Sequence, residues 1–299
     1  MSRILQRVLL AVFVIVDVFL VVLAVRHVNG TPPASDLPDV AATATPTPGE
    51  PETSPVASSQ IDYDFKASEA VALSAANDGT IVYGTRGRCA DAPTSVMIST
   101  NGGADFAPSD TGLTTTLAVK AANATSITVV GTDAKCDVKQ LTSTNGGSSW
   151  TASDSVELWY PAVDDSATVV SPKRSSKPAE GCIVTSVSQV TAASARISCA
   201  DGTIRGSGDD GATWVELGRL DNVRVSSFLT PSAGFALARY NGCGANQFAT
   251  TDGGVTWTPG GCITGDPAQA IAATANGLTA VVAGEPYVSA DNGQTWMQP

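Results

Sequence analysis

STNGGADF at residues 99–106, STNGGSSW at 143–150, SGDDGATW at 207–214, TTDGGVTW at 250–257 and SADNGQTW at 289–296 align without a gap. They share the pattern S/T-x-D/N-x-G-x-x-W/F. Each position has a physical task in a hairpin turn. Asn101, Asn145, Asp209, Asp252 and Asp291 are placed to accept backbone N–H bonds across the turn. Gly103, Gly147, Gly211, Gly254 and Gly293, two places on, permit positive φ. The closing Phe106, Trp150, Trp214, Trp257 or Trp296 begins the outgoing strand and is expected to pack between neighbouring sheets.

Successive D/N positions lie 44, 64, 43 and 39 residues apart (101 to 145, 145 to 209, 209 to 252, 252 to 291). A four-stranded propeller blade takes about 40 to 45 residues. Period-2 alternation before each turn, as in AVALSAA, TIVYGT and SVMIST ahead of Asn101, supplies the strands. The spacing predicts five blades, the long interval being a blade plus an insertion within residues 159–182, whose SPKRSSKP run looks like an exposed loop. The alternative is six blades, if the insertion supplies strands. Ring closure is expected to use IDYDFK, near residue 61, as an extra strand.

The repeat resembles the Asp-box, or BNR repeat, of sialidases and of related propellers such as sortilin-type receptors and photosystem II assembly-factor-like proteins. Asn replaces Asp in the first two copies and Phe106 replaces Trp in the first. The resemblance covers residue 61 to the end and implies an all-β Asp-box propeller. It does not imply an activity, because proteins built on this repeat differ widely in what they do.

Outward from the repeat, VLLAVFVIVDVFLVVLAV at 8–25 is apolar apart from Asp17 and long enough to span a bilayer. Arg3 and Arg7, in the short tail of residues 1–7, favour the cytoplasmic side by the positive-inside rule. The segment therefore reads as a single-pass signal anchor that holds the remainder outside the cytoplasm. Residues 26–60 are rich in Pro, Thr, Ser and Ala and read as a stalk, leaving 61–299 for the propeller.

Composition excludes several chemistries. The only histidine is His27, beside the membrane segment, so the domain has no imidazole for a Ser-His-Asp set or a His-ligated metal. A net charge of −11 with no basic stripe argues against nucleic acid. The Asp-box carboxylates lack the spacing and terminal Glu of a calcium loop, so neither metal nor cofactor is expected.

Six cysteines in an exported domain, with no C-x-x-C pair, read as three disulfides out of fifteen pairings. Placing Cys89, Cys136, Cys199 and Cys243 after second strands, and Cys182 and Cys262 between blades, suggests 89 with 136, 182 with 199 and 243 with 262. All would lie on the face opposite the Asp-box turns. Aligned second-strand ends put Arg86, Asp133, Tyr240 and Glu285 at equivalent positions near the central channel, with Arg88, Lys135 and Arg239 adjacent. These are the candidate ligand-binding residues.

No R-x-P motif of the sialidase type occurs in the domain. A sialidase-like hydrolase would have to use Arg86, Arg88 and Arg239 as a carboxylate clamp and Tyr240 with Glu285 as the catalytic pair. The residues favour a non-catalytic binding or assembly module for an exported protein or a cell-surface glycan.

Overall fold

The computed structural model describes residues 65–89 and 91–299. The anchor 8–25 with Asp17, His27, the stalk 26–60 and most of IDYDFK lie outside the described residues. Among those described, no helix is long and apolar enough to cross a membrane.

The described residues form a six-bladed β-propeller. Blade one is β1 (Val71–Ala75), β2 (Ile81–Thr85), β3 (Ser95–Ser99) and β4 (Ala107–Asp110), and blade two is β5 (Ala118–Ala121), β6 (Ile127–Thr132), β7 (Val138–Ser143) and β8 (Thr151–Ser153). Blade three has β9 (Tyr160–Pro161), β10 (Val169–Val170) and β11 (Ser175–Ser176). Blade four is β12 (Val184–Gln189), β13 (Ala195–Cys199), β14 (Thr203–Ser207) and β15 (Val215–Arg219). Blade five is β16 (Val223–Phe228), β17 (Gly234–Tyr240), β18 (Cys243–Thr250) and β19 (Thr258–Ile263), and blade six is β20 (Ala268–Thr274), β21 (Gly277–Val282) and β22 (Glu285–Ser289). Each blade is an antiparallel meander whose strands follow sequence order.

The expectation of five blades is therefore corrected to six. The insertion 159–182 forms the shortest blade, with the SPKRSSKP run largely exposed about the β10–β11 turn as expected, and the strands ARISCA and TIRGSG belong to the fourth blade. A sixth turn is hidden in SPKR. Ser171 Oγ accepts the N–H groups of Lys173 (3.2 Å) and Arg174 (3.0 Å), much as Ser99 Oγ accepts those of Asn101 (3.4 Å) and Gly103 (3.0 Å). The turn is one residue shorter and has lost its Asp, Gly and Trp, which removed it from the repeat pattern.

Buried side groups lie between blades, in one cluster at each of the five junctions from blade one to blade six. Val82, Val96 and Ile98 meet Ile127 and Val129 between blades one and two. Val130 meets Leu158 and Tyr160 at the next junction, and Val169 meets Val184 and Ile197 at the one after. Ile204 packs on Val223 and Phe248, and Leu237 on Ile271 and Ala280. Trp150, Trp214, Trp257 and Trp296 each join the cluster between their own blade and the preceding one.

Of the IDYDFK segment expected to close blades six and one, only Phe65 and Lys66 are described. Phe65 and Lys66 form no strand, and among the described residues the edge of β22 receives only one bridge, Val288 to Met297, from the last residues of the sequence. Side-group contacts clasp the junction instead. Asn77 Oδ1 accepts the Ala275 N–H at 3.1 Å, and Asn276 Nδ2 donates to the Asn77 carbonyl at 2.7 Å. Gln269 Nε2 donates to the Glu69 carbonyl at 2.9 Å, while the Arg86 and Gly87 N–H groups reach the Ala70 and Ser68 carbonyls. Phe65, Lys66 and Glu69 thus lie beside Thr185, Arg224 and Pro267 around a small cavity. The first described residues therefore lie near the axis of the disc.

Candidate functional site

The Asp-box turns join third and fourth strands, so they share one face with the turns joining first and second strands; the Gly102 N–H donates to the Gly79 carbonyl at 3.0 Å across that face. In every box the hydroxyl of the first residue bridges: Ser207 Oγ donates to Asp209 Oδ1 (2.9 Å) and accepts from Gly211 N–H (2.9 Å). Asp209 Oδ1 also accepts the Thr213 N–H at 2.9 Å, and Oδ2 accepts the Thr213 hydroxyl at 2.7 Å. Asp252 with Thr256 and Asp291 with Thr295 repeat this arrangement. Hydrogen bonds from those threonines hold all three carboxyls down at about 2. The Asn boxes use a complementary partner. Asn101 Nδ2 donates to Asp105 Oδ2 (3.1 Å) and Asn145 Nδ2 to Ser149 Oγ (2.8 Å). Gly147 shows why glycine follows: its φ is +85°, and a Cβ there would lie 2.4 Å from Ile98 Cδ1.

The opposite face carries all six cysteines, paired 89–136, 182–199 and 243–262 as the loop positions suggested. Cys262 lies inside β19 rather than between blades, because TPGGCI forms a fourth strand that its glycines concealed. Three disulfides point to an oxidising environment.

First strands line a central channel of about 830 Å³. Blade three interrupts this lining. Its β9 to β11 are equivalent to second to fourth strands elsewhere, since Ser176 on β11 receives Trp214 Nε1 at 3.0 Å as Ser109 on β4 receives Trp150 Nε1 at 3.0 Å. Glu157, Leu158 and Trp159 occupy the first-strand place without pairing to β9. Arg86 covers the resulting open edge. Its guanidinium, in a residue only 5% exposed, donates to the Ala162 carbonyl and to that of Val163 at 3.5 Å. Burial pulls this guanidinium below its ordinary value, opposed by the Asp164 charge.

Of the four ring positions Arg86 alone borders the channel; Asp133 follows β6, Tyr240 ends β17 and Glu285 begins β22, all away from the channel lining. Second strands are one position removed from the axis, which accounts for the separation. Asp133 Oδ1 accepts the N–H groups of Lys135 (2.9 Å) and Asp137 (3.1 Å), and the first of these chiefly holds its carboxyl below the ordinary range. Glu285 Oε2 receives Gln298 Nε2 at 3.4 Å. The Arg88 N–H caps on Asp91 Oδ2 at 3.2 Å. No hydrogen bond or ion pair among the described residues joins any two of the four.

Blade five holds the most developed feature of this face. β17 and β18, of seven and eight residues, are longer than the second and third strands of the other blades. They meet in a two-residue turn, Asn241 (φ 47°) and Gly242 (φ 81°), with Tyr240 opposite Cys243. That is the geometry favoured by Asn-Gly. Tyr240 is 45% exposed and braced edge-on by Phe248 at 5.4 Å. Arg239 pairs with Asp266, and the Cys243–Cys262 bridge fixes the hairpin to β19. No signal for the protruding length stood in the sequence apart from the NG dipeptide itself.

No family model matches this sequence, and no curated protein does. Among solved structures it is similar to the SapL1 lectin in complex with α-methyl fucoside, at 14% identity over 77% of this protein and 95% of that one, with a TM-score of 0.49. It is also similar to YCF48 from Cyanidioschyzon merolae, at 12% identity over 72% and 78% with a TM-score of 0.40. A third is the GH74 enzyme of Niastella koreensis, at 18% identity over 78% and 38% with a TM-score of 0.31. The fold rests on the blades described above and not on these likenesses. These neighbours include both a lectin and an enzyme, so they do not choose between binding and catalysis.

Proposed function

We propose that this protein is a non-catalytic binding or assembly module, held outside the cytoplasm by the 8–25 helix, whose disulfide face docks an exported protein or a cell-surface glycan. The observation that carries the reading is the blade-five hairpin: an exposed Tyr240 on a disulfide-fixed, outstanding β-turn. Aromatic anchors held rigid before binding supply contact area at little entropic cost. The sialidase-like alternative needs a guanidinium clamp, and Arg86 is committed to two backbone carbonyls.

The test uses residues 57–299, the span of the compact unit, refolded under oxidising conditions, on a glycan array and in crosslinking capture of exported proteins. Tyr240→Ala is expected to weaken capture by at least about tenfold, the loss expected of an anchor residue. Unchanged capture by that variant, or turnover of a fluorogenic sialoside above background, would sink the proposal.

A further inference from the structure

Five Asn-Gly dipeptides occur among the described residues, at 101, 145, 241, 276 and 292. In such a pair the glycine backbone nitrogen can attack the carbonyl carbon of the asparagine amide. A new C–N bond forms, the bond from that carbon to the amide nitrogen breaks with loss of ammonia, and water opens the resulting imide at either carbonyl to leave aspartate or isoaspartate. Glycine offers no bulk to hinder the attack. What restrains the reaction in a folded protein is a hydrogen bond on the attacking N–H or on the amide.

Four of the five are restrained. Asn101 Oδ1 accepts the Ser99 hydroxyl and the Asp105 N–H, and Gly102 N–H is held by the Gly79 carbonyl at 3.0 Å. Asn145 is bound likewise by Ser143 and Ser149, with Gly146 N–H on the Thr125 carbonyl at 3.0 Å. Asn276 Nδ2 is fixed on the Asn77 carbonyl, and Gly293 N–H is taken by Ser289 Oγ at 2.8 Å. Asn241 differs. Both it and Gly242 are exposed at the tip of the β17–β18 turn, and no hydrogen bond among the described residues holds either the Asn241 amide or the Gly242 N–H.

We infer that Asn241 is a site of spontaneous deamidation, and that the reaction places a new carboxylate at the tip of the hairpin between Tyr240 and the Cys243–Cys262 bridge. The added charge lies two residues from Arg239, whose guanidinium already pairs with Asp266. The effect on partner docking rests on the function proposed above; the modification itself does not.

The experiment incubates the full-length protein in detergent at mildly alkaline pH and follows each Asn-Gly pair by site-resolved mass spectrometry. Asn241 is expected to gain about one dalton several-fold faster than Asn101 or Asn145, in line with its free turn geometry. Equal rates at Asn101 or Asn145, or an unreacted Asn241 while Asn292 converts, would overturn the assignment. Asn241→Gly, which keeps the positive-φ turn, should abolish the modification. Asn241→Asp should change capture of the partner several-fold relative to Asn241→Gly; equal capture by the two would leave the deamidation standing and remove the hairpin from the docking surface.

Discussion

Trp214 Nε1 donates to Ser176 Oγ at 3.0 Å. A blade-four aromatic thereby locks onto the last strand of a blade that has neither Asp-box aspartate nor closing tryptophan. Trp214→Ala is expected to lower stability by about 3 to 5 kcal/mol through the vacated space between blades. Ser176→Ala should cost about 1 kcal/mol for the single hydrogen bond. Denaturant unfolding of both variants checks the ordering, and a larger loss for the serine variant would be inconsistent with this packing.

The Asn boxes should not be interchangeable with the Asp boxes. Asn101→Asp sets a carboxylate against Asp105 Oδ2, now 3.1 Å from an amide nitrogen, and is expected to destabilise by about 1 kcal/mol. The double change Asn101→Asp with Asp105→Thr restores the pairing seen at Asp209 and Thr213 and should recover that loss. Asn145→Asp faces a serine hydroxyl at 2.8 Å, which can turn to donate, and should be close to neutral. Melting temperatures of the wild type and these three variants give the comparison.

Acid should loosen the Asp-box face before neutral loops change. Asp209, Asp252 and Asp291 sit at about 2 in the folded protein against an ordinary 3.8. A carboxyl lowered on folding contributes stability that is fully present above the unfolded value and is lost as pH falls through the folded one. Stability should therefore decline between about pH 4 and pH 2, and Asp252→Asn should flatten part of that slope. A wild-type and variant profile of equal steepness over that interval would exclude the three boxes as the source.

Arg86 is expected to be structural in its first effect. Arg86→Met leaves the Ala162 and Val163 carbonyls at the open edge of β9 without their donor, a loss of about 1.5 to 3 kcal/mol for charge-assisted bonds. Lysine should recover little of it, since one ammonium lacks the planar fork. Thermal unfolding of both variants tests this.

Reduction should cost most where the closed loop is longest. The 89–136 bridge spans 47 residues and ties blade one to blade two, whereas 182–199 and 243–262 span 17 and 19. Loop-closure entropy places each within about 2 to 4 kcal/mol. Paired Cys→Ala variants, compared by denaturant midpoint, should show the largest fall for 89–136 and smaller, similar falls for the other two.

The repeat pattern exposed five of the six blades because an Asp-box keeps its hydroxyl, carboxyl, glycine and aromatic in fixed spacing. Blade three escaped because Ser171 kept only the hydroxyl's role, and two-residue strands such as β10 leave no alternation to read. The cysteine pairs were legible from strand order, since loops on one face are neighbours by construction. The commitments of individual polar groups were not. Arg86 aligned with Tyr240 and Glu285 along the sequence, yet its contact with Ala162 depends on a missing strand two blades away, and β19 hid behind two glycines.

The position of Phe65 to Glu69 beside Arg224 and Gln269 has a mechanical consequence. A load transmitted into residue 65 arrives at the hub of the disc, where Glu69 is tied to blade six through Gln269 and where the Ser68 and Ala70 carbonyls are tied to blade one. Tension is thus shared between β20 and the end of β2 and does not peel an outer strand from the rim, where a fourth strand is paired on one side alone.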